Sequence, residues 1–331
     1  MTGGSGYVAG WIIARLLEEG RAVRATLRDM ARADAVRADI ANVARDTASL
    51  EFVAADLLAD AGWEAAMQGV RHVVHVASPV MARRGVDTLA VAVDGTRRVL
   101  RAAAAAGVER IVLTSSAAAA RASADLSRPA DESDWTDARA SGIDTYTLSK
   151  TLAERAAWDF AREHPAGPKI ATVLPGFVQG LLLGRNASAS LGVVGQMLGG
   201  KMPAVPRLGF VMIDVRDLAD LHVRVLDDPK GMGERWIAST DFLWLADVAA
   251  VLRERLGHAA SRVPKRTMSD WLVSLLSLAN RDMRPLVAEL GKRREFSSAK
   301  AGRILDWHPR AASEAVIATA ESLLAKASPA T

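Results

Sequence analysis

The chain has 331 residues, of which half are hydrophobic and 24% are charged, and this composition excludes disordered and fibrous proteins. The 42 Lys and Arg exceed the 38 Asp and Glu by only four, so the charge gives no reason to expect a nucleic-acid partner. The absence of cysteine excludes disulfides, thiolate metal sites and cysteine nucleophiles, and it fits a reducing compartment.

Neither a membrane segment nor a metal site is predicted. No apolar run approaches the ~20 residues that cross a bilayer, and Arg15 interrupts the N-terminal apolar stretch, so we expect a cytoplasmic protein without a signal peptide. The apolar run at 271–279, WLVSLLSLA, is predicted to form a buried helix. His72, His75 and His222 lack the spacing of metal ligands and are interpreted as core or strand-end residues.

The first 175 residues alternate short β-branched runs with amphipathic stretches, a pattern typical of βαβ units. Strands are predicted at 22–27, 50–54, 72–76, 110–114 and 169–174, and helices at 8–19, 86–106 and 147–163. Gly20 and Gly107 stand where helix C-caps belong. We therefore predict an α/β protein with a Rossmann-type, doubly wound parallel sheet in residues 1–174, joined by part of 210–250. Residues 175–331 are expected to form mainly a smaller, mostly helical substrate domain.

A glycine turn begins the chain, where residues 2–10 read TGGSGYVAG. Glycines at this spacing let the backbone approach a pyrophosphate, whose charge is met by free N–H groups at the start of the next helix. The pattern normally follows a buried central strand, and only Met1 precedes it here. We therefore expect the first strand to be missing from this chain. The hypothesis is that the true start lies upstream, or that the chain is a truncated reading of a longer gene.

Arg28 follows the next predicted strand, at the position that selects the cofactor. An acidic residue there accepts hydrogen bonds from the ribose 2′-OH of NAD, whereas an arginine suits the 2′-phosphate of NADP. NADP(H) is therefore favoured, while the adjacent Asp29 leaves NAD(H) open.

Tyr146 is one of only two tyrosines and stands four residues before Lys150, the first lysine of the chain. This spacing puts both side chains on one helical face, where an attraction of ~4 kcal/mol at ~4 Å lowers the phenol pKa toward 7. Such a phenol can protonate a carbonyl oxygen or deprotonate an alcohol. Ser115 and Ser116 end a predicted strand, where the sites of parallel sheets form, and Ser116 is preferred as the hydroxyl that polarises the carbonyl.

Together, the glycine turn, the serine, Tyr-x-x-x-Lys and the later Pro-Gly in LPGFVQG (174–180) resemble the extended short-chain dehydrogenase/reductases. Within them, the chain is similar to the branch of dihydroflavonol 4-reductase, cinnamoyl-CoA reductase and bacterial aldehyde reductases. Further similar segments are VRATLRD (23–29), HVASPV (75–80), DGTRRVLRAA (94–103), DESDWTD (131–137), IDVRDLADLHV (213–223) and KAGRILDWHPR (300–310).

The resemblance implies site residues. Ser116, Tyr146 and Lys150 would form the catalytic triad, with Lys150 also holding the nicotinamide ribose. The other implied contacts are with the cofactor: Gly3, Gly6, Tyr7 and Val8 at the pyrophosphate, Arg28 at the 2′-phosphate, Asp56 and Leu57 at the adenine, and Ala77, Ser78, Pro175 and Val178 at the nicotinamide.

The expected function is NADP(H)-dependent reduction of an apolar aldehyde or ketone by a monomer or homodimer. Three alternatives stay open: a nucleotide-sugar epimerase or dehydratase, a 3β-hydroxysteroid dehydrogenase-like enzyme, and a non-catalytic NADP sensor. Epimerases of this superfamily typically follow the serine with Val-Tyr-Gly and hold the sugar nucleotide with an Arg. Here four Ala follow Ser116 and Phe210 takes the place of that Arg, while a sensor usually loses Tyr-x-x-x-Lys.

Overall fold

The computed structural model describes residues 1–78, 87–121, 128–184, 189–279 and 284–327. Its strands are β1 (Val23–Leu27), β2 (Leu50–Ala54), β3 (His72–His75), β4 (Arg110–Thr114), β5 (Lys169–Pro175), β6 (Phe177–Gln179), β7 (Val205–Pro206), β8 (Gly209–Asp214), β9 (Arg235–Ala238), β10 (Phe242–Trp244) and β11 (Thr267–Met268). Its helices are α1 (Tyr7–Glu18), α2 (Ala33–Ala41), α3 (Trp63–Met67), α4 (Thr88–Ala105), α5 (Thr145–Glu163), α6 (Ala189–Leu198), α7 (Val215–Asp227), α8 (Leu245–Leu256), α9 (Asp270–Ala279), α10 (Arg284–Val287), α11 (Ala299–Leu305) and α12 (Ala312–Ala327).

The central layer is parallel, as the βαβ pattern predicts. Strands β3, β4, β5 and β9 pair in that order, and β1 pairs with β2. Helices lie on both faces, because one core cluster joins α1, α2 and α7 to the sheet while another joins it to α3, α4 and α5. The fold is therefore the predicted Rossmann-type, doubly wound α/β architecture.

Met1 and Thr2 occupy the place between β1 and β3 where the pattern calls for a central strand. The backbone N–H of Thr2 donates to Val74 O at 3.0 Å, and Thr26 N–H donates to Met1 O at 2.9 Å. Thr2 and His75 form a parallel bridge. In the described structure, these two residues therefore connect β1 to β3. They lie directly before the glycine turn, where the pattern calls for a strand.

The predicted elements lie close to the observed ones. All five predicted strands are present with ends within one residue, and the helix predicted at 147–163 begins two residues earlier. Gly20 and Gly107 adopt φ angles of +75° and +72° just after α1 and α4, as helix-ending glycines do. The helix predicted at 86–106 begins at Thr88, with Asp87 as its N-cap, and residue 86 lies outside the described residues.

The later part of the chain adds a second core. Antiparallel β10 and parallel β6 flank β8, and a second cluster joins this region to α6, α8 and α12. Residues of α7 and β9 return to the first cluster, so the two parts of the chain interleave around 213–238.

The prediction that 271–279 is a buried helix was wrong about burial. The segment is helical, as α9, but Trp271 is 69% exposed, Leu275 54% and Leu278 72%. The helix packs on its neighbours mainly through Val273 and Ser277, which are buried. Among the described residues, no helix combines the length and the hydropathy required to span a bilayer.

Candidate active site

The glycine turn brings the chain start against the end of β3. Gly3 has φ +71°, and a Cβ placed on it would lie 3.0 Å from Ala77 Cα. Gly6 donates its N–H to Gly3 O and is the N-cap of α1, whose first turn holds no acidic side chain. The first N–H groups of α1, including those of Tyr7 and Val8, have no partner inside the helix. This cradle fits a pyrophosphate.

Arg28 lies just after β1, exposed beside the glycine turn. It makes no hydrogen bond or ion pair within the part of the chain that the structure describes. The neighbouring Asp29 differs, because one of its carboxylate oxygens accepts the N–H of Ala31 at 3.0 Å. The guanidinium is therefore available to an anionic ligand, whereas the carboxylate already caps a turn of helix. This arrangement fits a 2′-phosphate better than a free 2′-OH.

The residues implied for the adenine lie after β2. Asp56 accepts the backbone N–H of Leu58 at 3.1 Å, which fixes a turn, and Leu57 is half-buried. A Cβ on Gly95 of α4 would lie 3.0 Å from Leu57 Cβ, so the glycine allows α4 to approach this turn. The turn at 56–58 is thus shaped by helix packing on one side and leaves Leu58 exposed on the other.

The four residues implied for the nicotinamide lie at or just after the ends of β3 and β5. Thr2 Oγ1 accepts the N–H groups of Val76 and Ala77 at 3.1 and 3.0 Å, and Ser78 follows half-buried. Pro175 ends β5 and is buried, and Val178 lies half-buried on β6. Between them, Gly176 has no room for a Cβ, which would lie 2.6 Å from Val211 O. The glycine of the Pro-Gly step is therefore required by the close approach of β8.

The three residues predicted to be catalytic are Ser116, which follows β4, and Tyr146 and Lys150, which lie on α5. Tyr146 and Lys150 lie one turn apart on α5, and the Tyr146 hydroxyl donates to Ser116 Oγ at 3.3 Å. Ser115 points elsewhere, because its hydroxyl donates to Glu154 at 2.6 Å. The geometry thus brings the hydroxyl of Ser116, and not that of Ser115, to the phenol of Tyr146.

The expected lowering of the Tyr146 pKa is not observed. Burial of the hydroxyl raises the pKa of Tyr146 above its usual value, although 39% of the residue is exposed. The hydrogen bond with Ser116 and the charge of Arg121 oppose this rise, and Asp144 adds to it. The prediction was wrong because desolvation, which disfavours the phenolate, has the largest effect, and because the charges that act on the phenol are those of Arg121 and Asp144 and not that of Lys150. A tyrosine that stays protonated is suited to act as an acid.

Lys150 is itself perturbed by its surroundings. It is 7% exposed, and burial lowers its pKa to about 8, while the charge of Glu154 acts in the opposite direction. His75 on β3 is also buried, and desolvation together with the charge of Lys150 lowers its pKa to about 3, so it is neutral at physiological pH. The site thus holds one cation whose charge state is sensitive to pH near neutrality.

Reasoning from the sequence missed three charged residues around this site. Arg121 Nη1 lies 3.6 Å from both Asp144 and Glu289, and so joins the start of α5 to the C-terminal part of the chain. Glu154 and Arg235 form a buried ion pair next to Ser115. Glu154 lies at the fourth position after Lys150, a helical spacing that could have singled it out, but no local signal indicates Arg235.

The residue that replaces the epimerase arginine is part of an aromatic pair. Phe210 on β8 stacks on Phe177 of β6, with ring centroids 4.6 Å apart.

No group of three or more potential metal ligands occurs among the described residues.

Comparison with known proteins is consistent with this geometry. A sequence model of the 3-beta hydroxysteroid dehydrogenase/isomerase family matches residues 1–160. Cinnamoyl-CoA reductase 1 from Oryza sativa subsp. japonica is 34% identical over 258 residues, which are 77% of this chain and 74% of the rice protein. Dihydroflavonol 4-reductase from Zea mays is 32% identical over 278 residues, which are 80% of this chain and 76% of the maize protein. The yeast methylglyoxal/isovaleraldehyde reductase Gre2, solved with NADPH, shares the fold with a TM-score of 0.82, 23% identity and 98% coverage of both chains.

Proposed function

Since the chain belongs to the extended short-chain dehydrogenase/reductases, in the branch of cinnamoyl-CoA reductase and dihydroflavonol 4-reductase, it is an oxidoreductase, and we propose that it uses NADP(H) to reduce an apolar aldehyde or ketone to the alcohol. The observation that carries the proposal is the 3.3 Å hydrogen bond from the Tyr146 hydroxyl to Ser116 Oγ, one helical turn from the buried Lys150.

The roles follow from the chemistry of each group. When bound, NADPH supplies the hydride for the carbonyl carbon. Ser116 donates a hydrogen bond to the carbonyl oxygen, which stabilises the negative charge that develops there. Tyr146 transfers its proton to that oxygen, and the Lys150 ammonium stabilises the phenolate that remains. Tyr146, whose pKa lies above its usual value, holds its proton at neutral pH and therefore has a proton to transfer.

The residues in and around the glycine turn would hold the cofactor. The N–H groups at the start of α1 and the close contact of Gly3 with Ala77 suit the pyrophosphate. Arg28, which has no partner among the described residues, suits the 2′-phosphate. Asp56 and Leu57 would hold the adenine, while Ala77, Ser78, Pro175 and Val178 would border the nicotinamide.

Apolar substrates are favoured over nucleotide sugars. The diphosphate of a nucleotide sugar needs a cation, and leaving its charge unpaired beside apolar side chains costs several kcal/mol. Phe210, stacked on Phe177, offers no such cation at the position where epimerases carry Arg. The family match over residues 1–160 makes ketosteroids a second class of candidate substrate.

Paired incubations test this preference. We expect NADPH-dependent reduction of a benzaldehyde-type or medium-chain carbonyl compound, and no epimer or 4-keto product from a nucleotide-hexose. A 3-ketosteroid in the same panel tests the second substrate class. Product from the nucleotide-hexose, with no reduction of any carbonyl compound, would overturn the proposal in favour of an epimerase.

Cofactor choice is tested by Arg28→Ala. A charge-assisted hydrogen bond to the 2′-phosphate is worth roughly 1.5–3 kcal/mol, so we expect the Kd for NADPH to rise at least about tenfold and the Kd for NADH to stay within about twofold. Titration of both cofactors by fluorescence measures this difference. Arg71→Ala is a matched control, because Arg71 is exposed before β3 and pairs with Glu109. Equal losses for the two cofactors in Arg28→Ala would remove Arg28 from the site.

A further inference from the structure

Glu154 on α5 is a buried carboxylate that the proposed mechanism does not use. It has no exposed surface, and it accepts hydrogen bonds from side chains on β5, on β9 and just after β4. Ser115 after β4 donates at 2.6 Å, Thr172 of β5 at 2.8 Å, and Arg235 Nε of β9 at 2.7 Å. A buried carboxylate with this many partners fixes the positions of all the elements that reach it.

The guanidinium of Arg235 also has several partners besides Glu154. Its Nη1 donates to the carbonyl oxygens of Glu132 and Asp134 at 2.8 and 2.6 Å, and its guanidinium lies 3.7 Å from the centre of the Trp135 ring. Its Nη2 lies 3.4 Å from Ala119 O, in the turn that follows Ser116. The ion pair therefore connects α5 to the segment on either side of the catalytic serine.

The position of Glu154 relates it to all three members of the proposed triad. It follows Lys150 by four residues and Tyr146 by eight, so the three lie along one face of α5. Ser115, which it holds, is the neighbour of Ser116, and adjacent residues in extended chain point in opposite directions. Fixing Ser115 away from the site therefore directs Ser116 toward the Tyr146 hydroxyl, 3.3 Å away.

Glu154 also supplies negative charge to Lys150. Burial lowers the pKa of Lys150 to about 8, and Glu154 is the charged group that opposes this effect. Among the residues that the structure describes, His75 of β3 also interacts with Lys150 and is neutral near physiological pH, while Arg121 and Asp144 act on Tyr146. Arg235 neutralises part of the charge of Glu154 from β9.

We propose that Glu154 is a positioning residue for the reaction: its carboxylate keeps the Lys150 ammonium charged and, through Ser115, holds the strand end that carries Ser116 against the helix that carries Tyr146. This inference rests on the proposed function, since it assigns Glu154 a role through the proposed triad.

Glu154→Gln tests the electrostatic part. It keeps the shape and two hydrogen-bonding atoms but removes the negative charge, so the neutral form of Lys150 becomes more favourable. For carbonyl reduction, which needs the ammonium, we expect the alkaline limb of the kcat profile to move down by about one pH unit. The Cε resonance of Lys150 in lysine-labelled protein without added cofactor should titrate lower by the same amount. This NMR readout does not depend on turnover.

A double variant separates charge from folding. Glu154→Gln leaves Arg235 buried without a counter-charge, which destabilises the fold and can prevent folding. Glu154→Gln with Arg235→Met removes both charges, so we expect the Tm to recover, while the Lys150 titration and the alkaline limb stay shifted in the same direction but by less than in Glu154→Gln, because the opposing charge of Arg235 is also lost. Asp217→Asn is the matched control: Asp217 is a buried carboxylate on α7 that pairs with Arg310, and its loss should lower the Tm without moving either pH profile.

Two results overturn the inference. One is a folded double variant whose Lys150 titrates at the wild-type pH, and the other is a shift in Asp217→Asn as large as that in the double variant. Failure of the proposed function gives a different result, which is near-normal turnover in Tyr146→Phe. Loss of turnover in Tyr146→Phe together with an unchanged Lys150 titration in the double variant refutes the role of Glu154 and leaves the reductase assignment intact.

Discussion

Tyr146→Phe should lower kcat for carbonyl reduction by at least about 100-fold, the usual effect of removing a general acid. The substitution deletes only the hydroxyl, whose partner in the described structure is Ser116 Oγ at 3.3 Å, so the fold and the affinity for NADPH should change little. Steady-state kinetics with an aromatic aldehyde, beside a cofactor titration and a thermal melt, measure the three quantities.

A hydroxyl lost from the same helix provides the control for Tyr146→Phe. Ser149→Ala removes a hydroxyl that donates to Tyr146 O within α5 at 2.8 Å, so kcat is expected to stay within about threefold of wild type. Near-normal turnover by a well-folded Tyr146→Phe protein would contradict the assigned role of the phenol.

Gly3→Ala should weaken NADPH binding by about tenfold or more. Alanine at φ +71° costs roughly 1–2 kcal/mol, and its Cβ would lie 3.0 Å from Ala77 Cα. The backbone N–H of Ala77 donates to Thr2 Oγ1, so Ala77 cannot retreat without disturbing the turn, and the cradle for the pyrophosphate must open. Calorimetric titration of NADPH measures the loss.

Gly20→Ala separates backbone strain from the steric contact. Gly20 has φ +75°, close to that of Gly3, but nothing lies within 4 Å of its added Cβ. We expect Gly20→Ala to lower the Tm, because alanine is strained at this φ angle, and to leave the Kd for NADPH unchanged. A Gly20→Ala protein that loses NADPH affinity as strongly as Gly3→Ala would show that the turn at Gly3 has no specific role.

Local sequence patterns were sufficient to predict the parallel sheet. Buried parallel strands favour continuous apolar and β-branched runs, and the run at 110–114, RIVLT, has the bounds that the structure gives to the buried strand β4. Glycines such as Gly107 end helices through their own backbone freedom, without help from distant residues. The Tyr-x-x-x-Lys spacing likewise places two groups on one face of α5, because a helix is a local structure.

Features that depend on distant contacts were not predictable. In α9, apolar residues surround much of the helix, so the pattern does not say whether Leu275 and Leu278 are covered. The pKa of Tyr146 depends on its burial, which is a tertiary property. Glu154 and Arg235 are 81 residues apart in the chain, and only the packing of α5 on the sheet, in which β5 pairs with β9, brings them together.

The most direct test of the central claim follows a labelled hydride. The protein is incubated with NADPH carrying deuterium at the transferable C4 position and with an aromatic aldehyde, and the product is examined by mass spectrometry. We expect one deuterium on the carbinol carbon of the alcohol, one oxidised cofactor per alcohol formed, and loss of this product in Tyr146→Phe. An alcohol without deuterium, or no consumption of NADPH with any carbonyl substrate, would contradict the assignment as a carbonyl reductase.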